Sequence, residues 1–174
     1  MKKLTVCAVL VAISLLLAAC GGASPVYTSD AGKFSVAISG GFTQNVQSVD
    51  TLAGKIDQHT FLTTIGKITF MVAYYDYPAD VVKNDPLKVL DLAESGAVTN
   101  VNGILLKSAK ITLDSNPGYE MLIESADQNN QKMTTKVHMY LVGNRLYQIL
   151  ALANTGDADF NVIDPFLQSF KVLN

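Results

Sequence analysis

Apolar and polar residues alternate along most of the chain after Tyr27, which is the pattern of half-buried β-strands. Phe34, Val36 and Ile38 form the first such alternation, and Gly40-Gly41 ends it. Later segments rich in β-branched and aromatic residues predict further strands at 59–65, 67–77, 104–113, 118–125, 132–142 and 145–153. The links between them are short and rich in Asp, Asn, Pro and Gly, so we expect neighbouring strands to pair antiparallel.

Two regions have the spacing of helices instead. Asp85 is a suitable N-cap and Pro86 a suitable first residue for a helix that runs to about Val101. Near the C-terminus, Asp157 opens one short helical turn and Asp164-Pro165 starts a second, because proline inside one continuous helix would cost about 3 kcal/mol. The pattern as a whole predicts an α+β fold, with an antiparallel β-sheet of about six to seven strands flanked by helices.

Side-chain parity predicts the register of the hairpin between residues 118 and 142. Its apolar residues share one side of the sheet only if the turn has an odd number of residues, and Asn129–Gln131 satisfies this condition. That register places Ile123 opposite Val137, and Glu124 opposite Lys136 as a pair of unlike charges.

The next hairpin has a shorter turn. Gly143-Asn144 predicts a two-residue connection, which places Tyr140 opposite Tyr147. One face of these strands then mixes polar, charged and aromatic side chains: Glu120, Leu122, Glu124, Lys136, His138, Tyr140, Tyr147 and Ile149. The opposite face is almost wholly apolar and is predicted to be the main core.

The N-terminal residues read as an export signal. Lys2 and Lys3 precede an uncharged apolar run, Leu4 to Ala19, that is short for a membrane span. The sequence Leu17-Ala18-Ala19-Cys20-Gly21 resembles the bacterial lipobox, in which the cysteine takes a diacylglycerol and becomes the mature N-terminus. This predicts a signal peptide at 1–19, a lipidated tether at 20–26 and one folded domain at 27–174. Because Gly21 is not an aspartate, the periplasmic face of the outer membrane is favoured if the cell is Gram-negative.

The charge and the cysteine content of the chain argue against several classes of function. Without Lys2 and Lys3, 11 of the 13 basic residues remain against 15 acidic ones, a net charge of −4. Arg145 is the single arginine, so a nucleic-acid partner is not expected. Cys7 and Cys20 are the two cysteines, which leaves the mature domain without a cysteine nucleophile or a thiolate metal site.

The mixed sheet face holds the first candidate site. No serine-hydrolase elbow, zinc-protease helix or phosphate-binding glycine loop occurs in the sequence. His138 is the best candidate for a general base or ligand because the register brings acidic and phenolic side chains to its face. The possible binding face is therefore Glu120, Glu124, His138, Tyr140 and Tyr147. The favoured alternative is a hydrogen-bonded strand histidine without a functional role.

Two further motifs have ordinary structural interpretations. Asp157-Ala158-Asp159 matches the start of a calcium loop, but Val162 and Gln168 replace the glycine and glutamate that such a loop needs. No metal and no cofactor are therefore predicted. Tyr74, Tyr75 and Tyr77 form a possible docking patch, for which the alternative is packing beneath the helix that begins at Pro86.

Three segments together resemble the PsbP-like superfamily, and in particular its small exported bacterial lipoproteins. The segments are Pro117-Gly118-Tyr119-Glu120, Tyr140 to Tyr147, and Phe166-Leu167-Gln168-Ser169-Phe170. The resemblance extends from Tyr27 to Leu173 and implies a PsbP-like α/β/α sandwich with an accessory role at the envelope, without photosynthesis.

Three functions follow as hypotheses. The first is a non-enzymatic lipoprotein held to the membrane by its lipid, with an envelope protein as partner. The second is a periplasmic lipoprotein that binds a small molecule or ion at the His138 face, and the least favoured is a hydrolase that uses His138 with Glu120 or Glu124.

Overall fold

The structure is a computed structural model that describes residues 24–51 and 54–173. The predicted signal peptide and Cys20 lie outside the described residues. The strands are β1 (Val26–Ser29), β2 (Phe34–Ala37), β3 (Thr43–Thr51), β4 (Gly54–Ile65), β5 (Ile68–Asp76), β6 (Ile104–Leu113), β7 (Asn116–Ala126), β8 (Lys132–Val142), β9 (Arg145–Asn154) and β10 (Lys171–Val172). The helices are α1 (Ala79–Asn84), α2 (Pro86–Asn100) and α3 (Phe160–Gln168), with a 3₁₀ turn at Thr155–Asp157.

A seven-stranded antiparallel sheet forms the centre of the described part, in the order β3-β4-β5-β9-β8-β7-β6. A small sheet, β1-β2-β10, packs on one of its faces. This confirms the predicted α+β fold. The small sheet and α1 were not predicted, and neither was β3, an edge strand whose sequence is mostly polar. β1 begins at Val26, inside the segment predicted to be tether.

The register of β7 and β8 differs from the prediction by two residues. Met121, not Ile123, lies opposite Val137, and Leu122 rather than Glu124 lies opposite Lys136. The cause is a five-residue loop, 127–131, in place of the predicted three. The Asp127 carboxylate accepts hydrogen bonds from two backbone amides of this loop, at 2.9 and 2.7 Å, and so closes the longer turn. Parity is unchanged because both loops are odd, so each side chain keeps its predicted face.

The β8–β9 hairpin agrees with the prediction. A two-residue turn joins the strands, and Tyr140 lies opposite Tyr147. Gly143 has a φ of 59°, the left-handed value that this tight connection requires and that glycine adopts without strain.

Each face of the large sheet carries a core. α1 and α2 cover the face of Met121 and Val137, while α3 and the small sheet cover the face of Tyr140 and Tyr147. The prediction that the wholly apolar face is the main core was wrong. The mixed face has the larger buried cluster because its aromatic residues meet Phe34, from the small sheet, and side chains of α3.

α2 agrees with the prediction made from the sequence, and α3 differs from it. Asp85 caps α2 by accepting a hydrogen bond from the Lys88 amide at 3.0 Å, as predicted. α3 is a single helix with Pro165 inside it, not two pieces. Burial of Ile163 and Phe166 in the core stabilises the helix despite the proline, because packing outweighs local propensity in a short helix.

Candidate functional site

The candidate face contains a closed hydrogen-bonded cluster around His138. β7 and β8 pair Glu120 directly with His138, and the Glu120 Oε2 atom lies 3.0 Å from His138 Nε2. The Tyr140 hydroxyl lies 3.3 Å from Nδ1 on the other side of the ring. An ionised Glu120 accepts from the Nε2–H group, which leaves Nδ1 to accept from the hydroxyl. Both ring nitrogens are therefore occupied.

Burial and charge act in opposite directions on this cluster. Burial lowers the pKa of His138 below its ordinary value despite the nearby Glu120 carboxylate, so the imidazole is neutral at pH 7. Burial opposes ionisation of Glu120, but the hydrogen bond from His138 and the charges of Lys136 and Lys107 outweigh it and lower the pKa of that carboxyl. The cluster thus holds an ionised acid beside a neutral histidine.

Lys136 connects the cluster to α3. Its Nζ atom lies 3.6 Å from Glu120 Oε2 and 2.7 Å from Asp164 Oδ1. The Lys107 ammonium, on β6, lies 3.7 Å from Glu120 Oε1. Lys107 and Asp164 were not predicted as part of this face, since α3 and the β6–β7 pairing bring them there from distant sequence positions. Glu120, Lys136, Lys107 and Asp164 each have a partner of opposite charge. The arrangement therefore fits a structural link between the sheet and α3.

Two residues of the predicted binding face lie outside the cluster. Glu124 pairs with Lys132 at 3.1 Å near the surface, and it lies opposite Thr134, four residues along β8 from His138. The Tyr147 hydroxyl donates a 2.8 Å hydrogen bond to the Gly32 carbonyl, beneath the small sheet. The structure therefore brings together Glu120, His138 and Tyr140 only.

The three tyrosines of the possible docking patch do not form one exposed surface. Tyr74 is buried on the α3 face, where its ring stacks on His59 at 4.5 Å between centroids and on the Arg145 guanidinium at 4.4 Å. Tyr75 is buried on the opposite face and makes an edge contact with half-buried Tyr77. Burial raises the pKa of Tyr75, so its hydroxyl is neutral at any ordinary pH.

The segment that matches the start of a calcium loop makes helix-capping and ion-pair contacts instead. Asp159 caps α3 by accepting hydrogen bonds from the Asn161 backbone and side chain, and Asp157 pairs with Lys67 at 2.8 Å. Within residues 24–51 and 54–173, no three His, Cys, Asp or Glu side chains lie close enough together to hold a metal ion.

A groove lies on the other face of the sheet, and sequence reasoning did not find it. α2 packs over β7 and β8, and its other side lies across from Val49, Asp50 and Gln58 of β3 and β4. The space between α2 and these two strands, which we call the α2 groove, has a volume of about 570 Å³. Its helical wall is built of apolar and small side chains, including Val89, Leu92, Ala93, Gly96 and Ala97.

The floor of this groove carries an unpaired polar group. Gln148, on β9, lies beside Tyr75 in the groove lining and is 9% exposed. Its carboxamide makes no side-chain hydrogen bond to another group in the part of the chain that the structure describes, and its polar atoms are not fully buried, so they reach the space of the groove. The signal in the sequence is Gln148 itself, a polar residue on the predicted apolar face between Leu146 and Leu150.

The fold belongs to the class of α+β proteins in which one antiparallel sheet has helices on both faces. The solution structure of cyanobacterial PsbP (CyanoP) from Synechocystis sp. PCC 6803 is similar, with a TM-score of 0.53 and 14% identity over 90% of this chain and 98% of that one. This chain therefore has a PsbP-like fold, as the sequence resemblance implied.

A crystal structure from Bacteroides thetaiotaomicron VPI-5482 is also similar, with a TM-score of 0.53 and 9% identity over 87% of this chain. The match spans about half of that protein's length, 49%. No protein-family model matches the chain, and no curated protein sequence does. None of the helices that the structure describes has the length and apolar character needed to cross a bilayer.

Proposed function

We propose that this protein is a non-catalytic binding protein of the bacterial envelope, attached through a lipid on Cys20 and using the α2 groove as its binding surface. The signal peptide at 1–19 delivers the chain, and the lipid holds it at the periplasmic face of the outer membrane in a Gram-negative cell. An envelope component is its partner.

One observation supports this proposal: the groove is remote from the point where the described chain begins. Ser24 lines a small hollow with Phe70, near the start of β5. The groove lies near Tyr75, five residues further along the same strand and on its other face, a separation of about 17 Å along the strand. At most about 14 Å of extended chain separates Cys20 from Ser24. A lipid on Cys20 would thus hold the Ser24 end at the bilayer and leave the groove open to the envelope space.

The His138 cluster supports a role without catalysis. A general base must lie within hydrogen-bond reach of the substrate proton that it removes, so it must be accessible to the substrate. Both nitrogens of His138 are engaged by Glu120 and Tyr140, and the residue is 7% exposed. These contacts support a structural role for this histidine, at the junction of β7, β8 and α3.

Lipid attachment is tested by fatty-acid labelling of the full chain in bacterial cells. The wild type should incorporate a radioactive fatty acid and fractionate with membranes, and Cys20→Ala should not incorporate the label. Cys7→Ala is the matched control, because it changes the other cysteine and should leave the label in place. Incorporation that survives Cys20→Ala would contradict the anchor.

The binding surface is tested by site-specific photo-crosslinking in native membranes. A photoreactive amino acid at Leu92, which is 44% exposed at the groove, should form a reproducible adduct with an envelope component. The same amino acid at Ile104, which is 67% exposed on the edge strand β6, should not. Equal adducts at both positions, or none at Leu92, would contradict the groove as the binding surface.

A further inference from the structure

We propose that the α2 groove binds an uncharged, largely apolar small molecule with an aromatic body, whose single carbonyl or hydroxyl group hydrogen-bonds to Gln148. This inference rests on the proposed function, which makes the groove a binding surface, and adds the chemistry of what it binds.

The carboxamide of Gln148 reaches the groove and has no protein partner there among the described residues. It is more than nine-tenths buried and unpaired among the described residues, and it lies in the groove lining. A ligand that covers this amide displaces its water, so a ligand group that replaces the lost hydrogen bond favours binding. Since a carboxamide both donates and accepts, a carbonyl or a hydroxyl on the ligand would satisfy it.

The charge of the groove excludes an acidic ligand. Among its described lining residues, Asp50 is the only one with a charge, and it is negative. No lysine or arginine is present there to neutralise a carboxylate or a phosphate. An anion would lose its hydration without a compensating partner. Asp50 is exposed, where water screens its charge, so it does not compensate a buried cation either, and the occupant is uncharged.

The size and walls of the groove fit a small molecule with a ring. A volume of about 570 Å³ lies within the range of ligand sites, which are mostly apolar with a few polar groups. Tyr75 and Tyr77 offer ring faces and edges beside Gln148. On the helical side, Gly96 leaves open space, because a Cβ added there would meet no atom within 4 Å.

The experiment uses photo-labelling of the full lipidated chain in phosphatidylcholine nanodiscs. The probe is benzophenone, a neutral diaryl ketone that forms covalent adducts under light, and adducts are located by peptide mass spectrometry. We expect saturable labelling on the peptides that carry α2 and β9. The anionic analogue 4-benzoylbenzoate should label the groove at least about ten-fold less, because its carboxylate finds no cation there.

Two variants test the contacts separately. Gln148→Leu keeps the size of the side chain and removes its hydrogen bond, so half-saturation should need about five-fold more benzophenone, the factor of one neutral hydrogen bond. Gly96→Phe fills the groove from α2 without touching β9, and should abolish labelling even if Gln148→Leu proves unstable. Gly96→Ala and Gln128→Leu, the latter in the exposed 127–131 loop, are the controls and should label like the wild type.

The proposal is overturned if adducts spread over the whole surface, if Gln148→Leu saturates like the wild type, or if both probes label the groove equally. Adducts from Leu92 to an envelope polypeptide that benzophenone does not displace would overturn the small-molecule class and leave the proposed function standing. Loss of the Leu92 adducts altogether would instead be a failure of the proposed function.

Discussion

The single arginine of the chain joins three separate parts of the molecule. Arg145 forms two hydrogen bonds of 2.7 Å with the Asp76 carboxylate on β5, and its guanidinium lies 4.4 Å from the centre of the Tyr74 ring. It also donates a 3.2 Å hydrogen bond to the Ala31 carbonyl, between β1 and β2. The planar, forked guanidinium makes these contacts at once, which an ammonium group cannot do.

We therefore predict that Arg145→Lys lowers the free energy of unfolding by about 1 kcal/mol, measured by urea denaturation. The positive charge is retained, so the loss reports the paired hydrogen bonds and the ring contact. The effect stays modest because Asp76 is exposed and water screens the pair. Lys110→Arg, an exchange of the same residue types at an exposed position, should change stability by less than about 0.5 kcal/mol. Equal effects of the two variants would contradict the bridging role.

His138 should make stability depend on pH in a defined window. Its pKa is lowered from 6.5 in the folded state by burial, so the unfolded chain binds a proton first as the pH falls. The free energy of unfolding should therefore decrease as the pH falls below about 6.5, until the folded state also takes up the proton. Glu120, whose pKa is lowered from 4.5, adds its own loss of stability only at more acidic pH.

This prediction is checked by urea denaturation at a series of pH values between about 7.5 and 5. His138→Gln should flatten the dependence above pH 5, because glutamine can still hydrogen-bond to Glu120 but does not titrate. His59→Gln changes the other histidine of the chain and should retain the dependence. If the free energy of unfolding of His138→Gln still depends on pH in this range, groups other than His138 cause the dependence.

At the scale of elements, segments rich in β-branched and apolar residues predicted most strands, and the prediction failed where such residues are few. β6 and β8 have the bounds that alternation gave, and α2 begins at its predicted cap. β3 was missed because its sequence, TQNVQSVDT, has almost no apolar side chain to bury at an exposed sheet edge. α3 was divided at Pro165 because local propensity cannot show how much apolar surface a helix buries.

The loop between β7 and β8 illustrates a further limit. Parity fixed which face each side chain occupies, but it could not distinguish three loop residues from five. Asp127 stabilises the five-residue loop, because its carboxylate accepts hydrogen bonds from the Asn129 and Gln131 amides. Such a side-chain contact leaves no periodic signal in the sequence.

We predict that Asp127→Ala lowers the free energy of unfolding by about 1 kcal/mol, since the two loop amides lose their acceptor. Asp127→Asn keeps an oxygen in the same place and should recover most of that loss. Chemical denaturation of the two variants beside the wild type gives both values. If Asp127→Asn is as unstable as Asp127→Ala, the negative charge rather than the acceptor stabilises the loop.

At the scale of the whole molecule, the antiparallel sheet separates two regions that the sequence could not place. The Ser24 end carries the small hollow on the α3 face, and the groove lies towards the other end on the α2 face. The Asp85-Pro86 signal predicted where α2 begins, but not which half of the sheet it covers. The groove exists because α2 packs on β7 and β8 and stops short of β3 and β4.

This arrangement predicts how the lipidated protein sits on a bilayer, if Cys20 carries the anchor. Val162, on α3, lines the hollow beside Ser24 and is 47% exposed, and Phe160 at the start of the same helix is 41% exposed. Both would face the membrane. Leu92 is 44% exposed at the groove and would face away from it, which makes it a matched comparison.

The measurement is fluorescence quenching by nitroxide-labelled lipids in phosphatidylcholine vesicles. Cys7 and Cys20 are the two cysteines of the sequence. If the signal peptide is removed and Cys20 is acylated, Val162→Cys and Leu92→Cys would each accept a single small fluorophore. We expect strong quenching at position 162 and little at position 92, because nitroxide quenching acts over only a short distance. The same labelled variants of a chain that starts at Gly21, without signal peptide or lipid, should show no quenching at either position. Quenching that is stronger at 92 than at 162 would mean that the groove, rather than the Ser24 end, lies against the bilayer.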